Sequence, residues 1–267
     1  MLWILEHVDQ LNTEAVLSLL PQISEGRRAR VHSITHIPAK VRSVLAELLL
    51  RRALREEYGL AELPKIETEE KGKPFFPDHP EIHFNLSHCK YAVACALDRA
   101  PVGVDAEALG RLLRPGAQPV SETGDPKSSP ARWGGGPPPR AVEGSPRRQS
   151  PSGRGNQLPS PSSEPLLLRV LSEAERAWVL AGESPAEQDR RFTAVWTCKE
   201  AWGKAQGVGI LYDLKSTCFL PDKGTWKQYD TFFRHFSREK YELTLCSRDP
   251  LLCKSIRFEE IQYDVSE

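Results

Sequence analysis

Phe192, Val195 and Trp196 recur at helical spacing, and Gly207 and Gly209 close the run, so Arg190 to Ile210 is predicted to form a helix and its exit. On that helix Trp196, Glu200 and Lys204 are successive i,i+4 neighbours along one face. Earlier in the chain, Leu2 to Leu5 predicts a buried strand and Thr13 to Leu20 a short helix closed by Pro21. A longer helix starts near Pro38, repeats Val41, Val44, Leu45, Leu48 and Leu49, and stops at Gly59. Arg27, Arg28 and Arg30 fall just ahead of it, in a loop by this reading, and Arg42, Arg51, Arg52 and Arg55 fall on its exposed side. Lys71-Gly72-Lys73-Pro74 is a turn. Ile82, Phe84 and Leu86 then alternate with His83 and Asn85 as a half-buried strand that ends at Ser87-His88, with His83 facing solvent. Tyr91 to Leu97 and Val102 to Val104 are two further strands, and the second runs into Asp105-Ala106-Glu107. Ser172-Glu-Ala-Glu175 has the form of a capping box, and a loop around Glu183 to Pro185 leads into the helix with Trp196. Strand-like segments follow at Ser216 to Leu220, Thr225 to Phe233, Tyr241 to Cys246 and Lys254 to Glu259. Both halves thus place helices before strands, which predicts an α+β fold built from a duplicated unit.

Composition changes this picture in one place. Arg111 to Ser163 holds 11 of the 22 prolines, 8 of the 18 glycines and nine serines, with Trp133 as its only aromatic residue. Such a stretch buries too little apolar surface to offset the entropy of ordering, so it is expected to be a disordered insertion. The expected layout is an N-terminal lobe over 1–110, the insertion over 111–163 and a C-terminal lobe over 164–267. Eight basic residues against three acidic ones give the insertion a net charge of +5. Over the whole chain Lys+Arg and Asp+Glu are both 36, so overall charge points to no nucleic-acid partner. Six cysteines lack metal-type spacing, and the chain has no apolar run long enough to span a membrane. A reduced, cytoplasmic protein with free thiols is the expectation.

Two groups of residues carry candidate chemistry. Read alone, Glu200 and Lys204 make a solvated i,i+4 ion pair worth only a few tenths of a kcal/mol. Lys199 reads as structural, paired with a nearby acid, and Trp196 as core packing that orients the helix. Asp105 and Glu107, two apart on a strand, project from the same side. Two anions at that spacing repel unless a cation joins them, which suits a hard metal, although exposed strand ends also carry such pairs.

Together, VGVDAE (Val102 to Glu107) and WTCKEAWGK (Trp196 to Lys204), preceded by GKP (Gly72 to Pro74) and NLSH (Asn85 to His88), resemble the 4′-phosphopantetheinyl transferase superfamily. The resemblance is to its monomeric, surfactin-synthetase-activating (Sfp) type and covers roughly Ile23 to Phe219, the insertion excluded. It implies two pseudo-twofold lobes with coenzyme A in the cleft between them. It also implies Mg²⁺-dependent transfer of the phosphopantetheine arm to a serine of an apo acyl- or peptidyl-carrier protein, releasing adenosine 3′,5′-bisphosphate. A non-catalytic module that binds coenzyme A or a carrier on the same fold is the alternative.

The resemblance also implies roles. Asp105, Glu107 and Glu200 would hold Mg²⁺, and Lys204 would contact the pyrophosphate and stabilise the leaving group. Ser87 and His88 would meet the nucleotide phosphates, and Lys73 would line the adenine and phosphate pocket. Arg27 and Arg30, with Arg42 and Ser43, would lie near the 3′-phosphate. The general base is left open by the resemblance; Glu200, directly or through a metal-bound water, is the choice because it can face both the metal and the serine proton. The chain departs from the family's pattern in its insertion directly after the D-x-E motif and in Val208, where a basic residue is usual.

Overall fold

The computed structural model describes residues 1–112, 164–208, 213–222, 224–251 and 256–259. The insertion beyond Leu112, up to Ser163, therefore lies outside the described residues, as do Gly209, Cys253 and the start of the last predicted strand. The N-terminal part runs through strand β1 (Leu2–Glu6), helices α1 (Thr13–Ser18), α2 (Glu25–Ser33) and α3 (Ile37–Tyr58), and strands β2 (Glu67–Thr68), β3 (Pro74–Phe75), β4 (His83–His88), β5 (Ala92–Asp98) and β6 (Val102–Ala108). Beyond the insertion come helices α4 (Glu164–Val170), α5 (Glu173–Leu180) and α6 (Pro185–Gln206), and strands β7 (Thr225–Gln228), β8 (Thr231–Ser237), β9 (Tyr241–Ser247) and β10 (Ile256–Glu259).

The α+β class holds. Among the described residues there are two four-stranded sheets, ordered β10-β1-β5-β4 and β6-β9-β8-β7, and a small β2-β3 ribbon around Gly72, whose φ is 92°. Alternation along the strands sorts their side chains into three layers of core. Trp3, Leu5, Val93, Cys95 and Leu97 face α3. Leu2, Ile4, Ala94 and Ala96 on the other face of that sheet meet Val104, Ala106, Leu243 and Leu245 of the second sheet. The outer face of the second sheet receives α6, where Cys198, Ala201 and Ala205 pack with Phe233 and Cys246. Each sheet thus carries a 22-residue helix on its outer side. The sheets also exchange strands. β6, which precedes the insertion, pairs with β9 in the second sheet, and β10 pairs in parallel with β1 in the first.

The edges β4 and β6 meet without forming a ladder. Asn85 Oδ1 accepts from the Val104 amide (2.8 Å) and Ser87 Oγ from the Ala106 amide (3.1 Å), so side chains of one sheet satisfy the exposed edge of the other. On its second-sheet side, β6 presents Gly103 to α6. A Cβ at that glycine would stand 1.9 Å from the Ala201 carbonyl oxygen, so helix and strand touch backbone to backbone.

Several local expectations are corrected. Arg27, Arg28 and Arg30 sit inside α2, not in a loop, because Ser24 caps that helix by accepting from the Arg27 amide. Arg42 is buried, as α3 is covered on more than its apolar stripe. Helix α6 begins at Pro185, ahead of the predicted Arg190, where Ser184 is the N-cap and Pro185 fills the first turn. Residues 217–220 are not a strand but follow a short 3₁₀ turn, Leu214–Ser216. The predicted Thr225 to Phe233 strand is two, broken by a turn in which Tyr229 takes φ 54°. The capping box at Ser172 and Glu175 is present. Lys199 is fully buried and structural as expected, 3.0 Å from Glu175 Oε1 and donating to the Thr217 carbonyl (2.7 Å).

Candidate active site

Where α6 crosses the β4–β6 seam, three elements deliver polar side chains to one place. β6 stays extended through Ala108, so Asp105 and Glu107 do share a face, in register with Thr244 and Glu242 of β9. Lys204 of α6 reaches across to the strand instead of closing an ion pair with Glu200 on its own helix. Its Nζ lies 2.6 Å from Asp105 Oδ1 and donates to the Val104 carbonyl (3.2 Å) and to Ser87 Oγ (3.3 Å). Ser87 in turn donates to Asp105 Oδ1 (3.0 Å). Lys204 and Ser87 thus both donate to Asp105 Oδ1, and Asp105 Oδ2 is buried with no hydrogen-bond partner.

Glu200 is in the same condition. It is 9 % exposed, and its Oε1 is buried and unpartnered. Burial, and then the charge of Asp105, push its carboxyl up to about 8. Burial works against the charge on Lys204, but Asp105 and Glu200 outweigh it and hold the ammonium above its ordinary value. Glu107 differs. Trp196 Nε1 donates to its Oε1 (3.2 Å), and Arg111 lies 2.8 Å from its Oε2. Trp196 is therefore more than packing, since its indole N–H fixes an acid of the D-x-E pair. Among the described residues no three His, Cys, Asp or Glu side chains converge as a ready metal cluster.

From Lys204 a line of polar groups runs past His88 of β4 to the cations of α3 and α2. His88 Nδ1 is buried and unpartnered. Burial, followed by Arg42, Lys204 and Arg27, drives the His88 imidazole down to about 3, so this ring is neutral. Arg27 donates to Ser43 Oγ (3.5 Å) and lies 3.6 Å from Glu47 Oε2. Burial lowers its guanidinium to about 9. Burial also lowers Arg30, on the same helix. The structure thus brings Asp105, Glu200, Lys204 and Ser87 into contact or charge coupling, with His88, Arg42, Ser43 and Arg27 continuing the line. Lys73 stands apart, with its Nζ donating to the Ala205 carbonyl (2.7 Å) at the end of α6. Sequence reasoning assigned no role to Asn85, Arg111 or Asp189. Asn85 lay inside a quoted motif, but its role depends on a strand that is not its neighbour in sequence. Arg111 is masked in sequence by the insertion that begins with it.

The arrangement pairs two underserved carboxylate oxygens with a strip of cations, which suits a polyanion bridged to the protein by a divalent metal. Comparison with known proteins points the same way. A family model described as the 4′-phosphopantetheinyl transferase superfamily matches residues 154–247, which include Glu200 and Lys204. A 4′-phosphopantetheinyl transferase of Bacillus pumilus is 36 % identical over 266 residues, 94 % of this chain and 91 % of that protein. Another, from Bacillus subtilis, is 23 % identical over 247 residues, 89 % of this chain and 88 % of its own length. The Sfp enzyme of Bacillus subtilis is 36 % identical over a shorter stretch of 86 residues, 32 % of this chain and 38 % of its own. With such identity along nearly its whole length, the chain belongs to the 4′-phosphopantetheinyl transferase superfamily, in its Sfp-type branch.

Proposed function

We propose that the protein transfers the 4′-phosphopantetheine arm of coenzyme A to a serine of an apo acyl- or peptidyl-carrier protein in a Mg²⁺-dependent reaction, releasing adenosine 3′,5′-bisphosphate. The observation that carries this reading is the pair of buried, unpartnered oxygens, Asp105 Oδ2 and Glu200 Oε1, beside the Lys204 ammonium. Two carboxylates that repel each other in a partly dry site fit a hard cation, and Mg²⁺ takes few protein carboxylates along with phosphate oxygens. Asp105 and Glu200 would hold it there, and once bound it would neutralise charge gathering on the pyrophosphate.

The residues of the chain account for the rest. The serine oxygen attacks the phosphorus that bears the pantetheine arm, and the bond from that phosphorus to the bridging oxygen breaks. The electron pair leaves on the 5′-phosphate of adenosine 3′,5′-bisphosphate. Lys204, whose ammonium sits against Asp105, offsets the charge that develops there. Glu200, in its ionised form, accepts the serine proton. His88, neutral and half-buried, is a hydrogen-bonding group for a phosphate and not a fixed charge. Arg27, Arg30 and Arg42 supply the charge for the 3′-phosphate, and Ser43 a hydroxyl. The relatives' shared name supports the reaction class, and the donor set is what supports the choice of metal and substrate.

The double variant Arg27→Ala/Arg30→Ala tests the substrate assignment by calorimetry. Coenzyme A should bind at least about tenfold more weakly, as expected for losing charged hydrogen bonds to phosphate, while its 3′-dephospho analogue changes little. Equal losses for the two ligands would remove the arginines from the 3′-phosphate.

A further inference from the structure

Glu107 is the one acid of the expected metal set with both carboxylate oxygens engaged, whereas Lys204 takes only Oδ1 of Asp105 and leaves Oδ2 unpartnered. Arg111 Nη2 lies 2.8 Å from Glu107 Oε2, with both side chains under 10 % exposed, and its guanidinium stacks 5.0 Å over the Trp196 ring whose N–H holds the other carboxylate oxygen. The backbone that presents Arg111 is gripped on both sides. The buried Asp189 of α6 accepts from the Gly110 amide through Oδ2 (2.5 Å) and from the Leu112 amide through Oδ1 (2.6 Å). Gly110 takes φ 101°, a conformation that favours glycine, so the chain turns sharply after β6 and directs Arg111 back onto the strand it has just left. A metal that took Glu107 would have to displace Arg111 or Trp196 from it, giving up a buried ion pair or a buried hydrogen bond. Asp105 Oδ2 and Glu200 Oε1 demand nothing of the kind.

We infer that Arg111 is a resident counter-cation for Glu107, so the divalent metal is held by Asp105 and Glu200 alone, with Glu107 as a positioning acid. The inference rests on the reading of this cleft as a Mg²⁺-dependent transfer site, but it concerns which residues bind metal, not whether transfer occurs. Glu107, tied to Arg111 on one side and Trp196 on the other, fixes the angle between β6 and α6 and so the separation of Asp105 from Glu200.

Mn²⁺ titration of the metal-free full-length protein without coenzyme A, followed by calorimetry and by the electron paramagnetic resonance of free Mn²⁺, tests this. Asp105→Asn and Glu200→Gln should each weaken Mn²⁺ by more than about a hundredfold, whereas Glu107→Gln, as a positioning change, should cost only about tenfold. Arg111→Ala should tighten Mn²⁺ binding, because it removes a cation and so makes the neighbourhood of the site more negative. Adding Glu107→Gln to Arg111→Ala should cancel that gain. Arg111→Lys, which keeps the charge if the alanine variant folds poorly, should bind Mn²⁺ as the unaltered protein does. A loss on Glu107→Gln equal to that on Asp105→Asn, or weaker binding in a folded Arg111→Ala variant, would overturn the inference and leave the transfer site standing. Mn²⁺ binding unaffected by Asp105→Asn and Glu200→Gln would bring down both the inference and the metal site beneath it.

Discussion

Replacing Glu200 with glutamine is expected to raise the melting temperature of the metal-free protein at pH 8 while cutting transfer at least about a hundredfold, the scale of a lost general base. The stability gain follows from burial. In the unfolded chain this carboxyl ionises near its ordinary 4.5, whereas in the folded protein burial and Asp105 push it up to about 8. Below 4.5 both states hold the proton and the residue is neutral in effect. As the pH rises from there, the unfolded chain releases its proton first, so the folded state progressively loses stability, and the full loss is reached once the pH passes about 8. Glutamine cannot ionise, so the gap between variant and parent should open across that window and reach on the order of a few kcal/mol. Mg²⁺ should close the gap by stabilising the parent and not the variant. A variant that is less stable at every pH would contradict the claim that Glu200 is strained in the metal-free protein. Full transfer activity would remove its catalytic role.

Gly103→Ala is expected to be severely damaging for a single added methyl group. The new Cβ would lie 1.9 Å from the Ala201 carbonyl oxygen and 2.7 Å from the Ala205 amide nitrogen, and both are helix backbone that no rotamer change can move aside. Helix α6 must lift from β6, which opens the core between Ala201, Ala205, Phe233 and Cys246. A loss of at least about 4 kcal/mol is expected, in the range reserved for disrupted cores. For a chain of this size that lowers the melting temperature by about 10 °C or more. The same shift would carry Lys204 away from Asp105 and Val104, so activity should fall even at temperatures where the variant stays folded. A variant within about 1 kcal/mol of the parent would mean that helix and strand are not in backbone contact, since surface-like tolerance of that kind is not found in packed cores.

These two sites show what a single sequence can and cannot disclose. Glu200 and Lys204 were legible because helical spacing is local, and Asp105 and Glu107 because strand alternation is local. Their meeting was legible only through family resemblance, since residues on β6 and α6 stand about a hundred positions apart in the chain. Gly103 was passed over for the same reason. Nothing in Val102-Gly103-Val104 announces that a helix will lie against it. The exchange of β6 and β10 between the sheets is likewise non-local, and strand periodicity does not encode pairing partners. Other misses were local signals under-read. Ser24 ahead of Glu25 and Ser184 ahead of Pro185 both mark helix starts, and both sit before helices placed too late or not at all. Tyr229 at φ 54° left no trace, because a left-handed tyrosine is not a residue that turn chemistry foresees. Arg42 was put on the exposed side because a helix face is read from its own periodicity, whereas burial on the second side is imposed by β4 and α2. Arg111 was assigned by composition to the segment that follows, although the grip of Asp189 on its two neighbours makes it part of the ordered site.

The most direct test of the central claim is the intact mass of an apo acyl-carrier protein incubated with this protein, coenzyme A and Mg²⁺, with and without EDTA. Transfer predicts that the carrier gains one phosphopantetheine arm, that the gain is abolished by EDTA, and that it disappears when the acceptor serine of the carrier is replaced by alanine. An unchanged carrier mass across acyl- and peptidyl-carrier proteins, from a preparation that binds coenzyme A, would contradict it and leave a binding module on this fold.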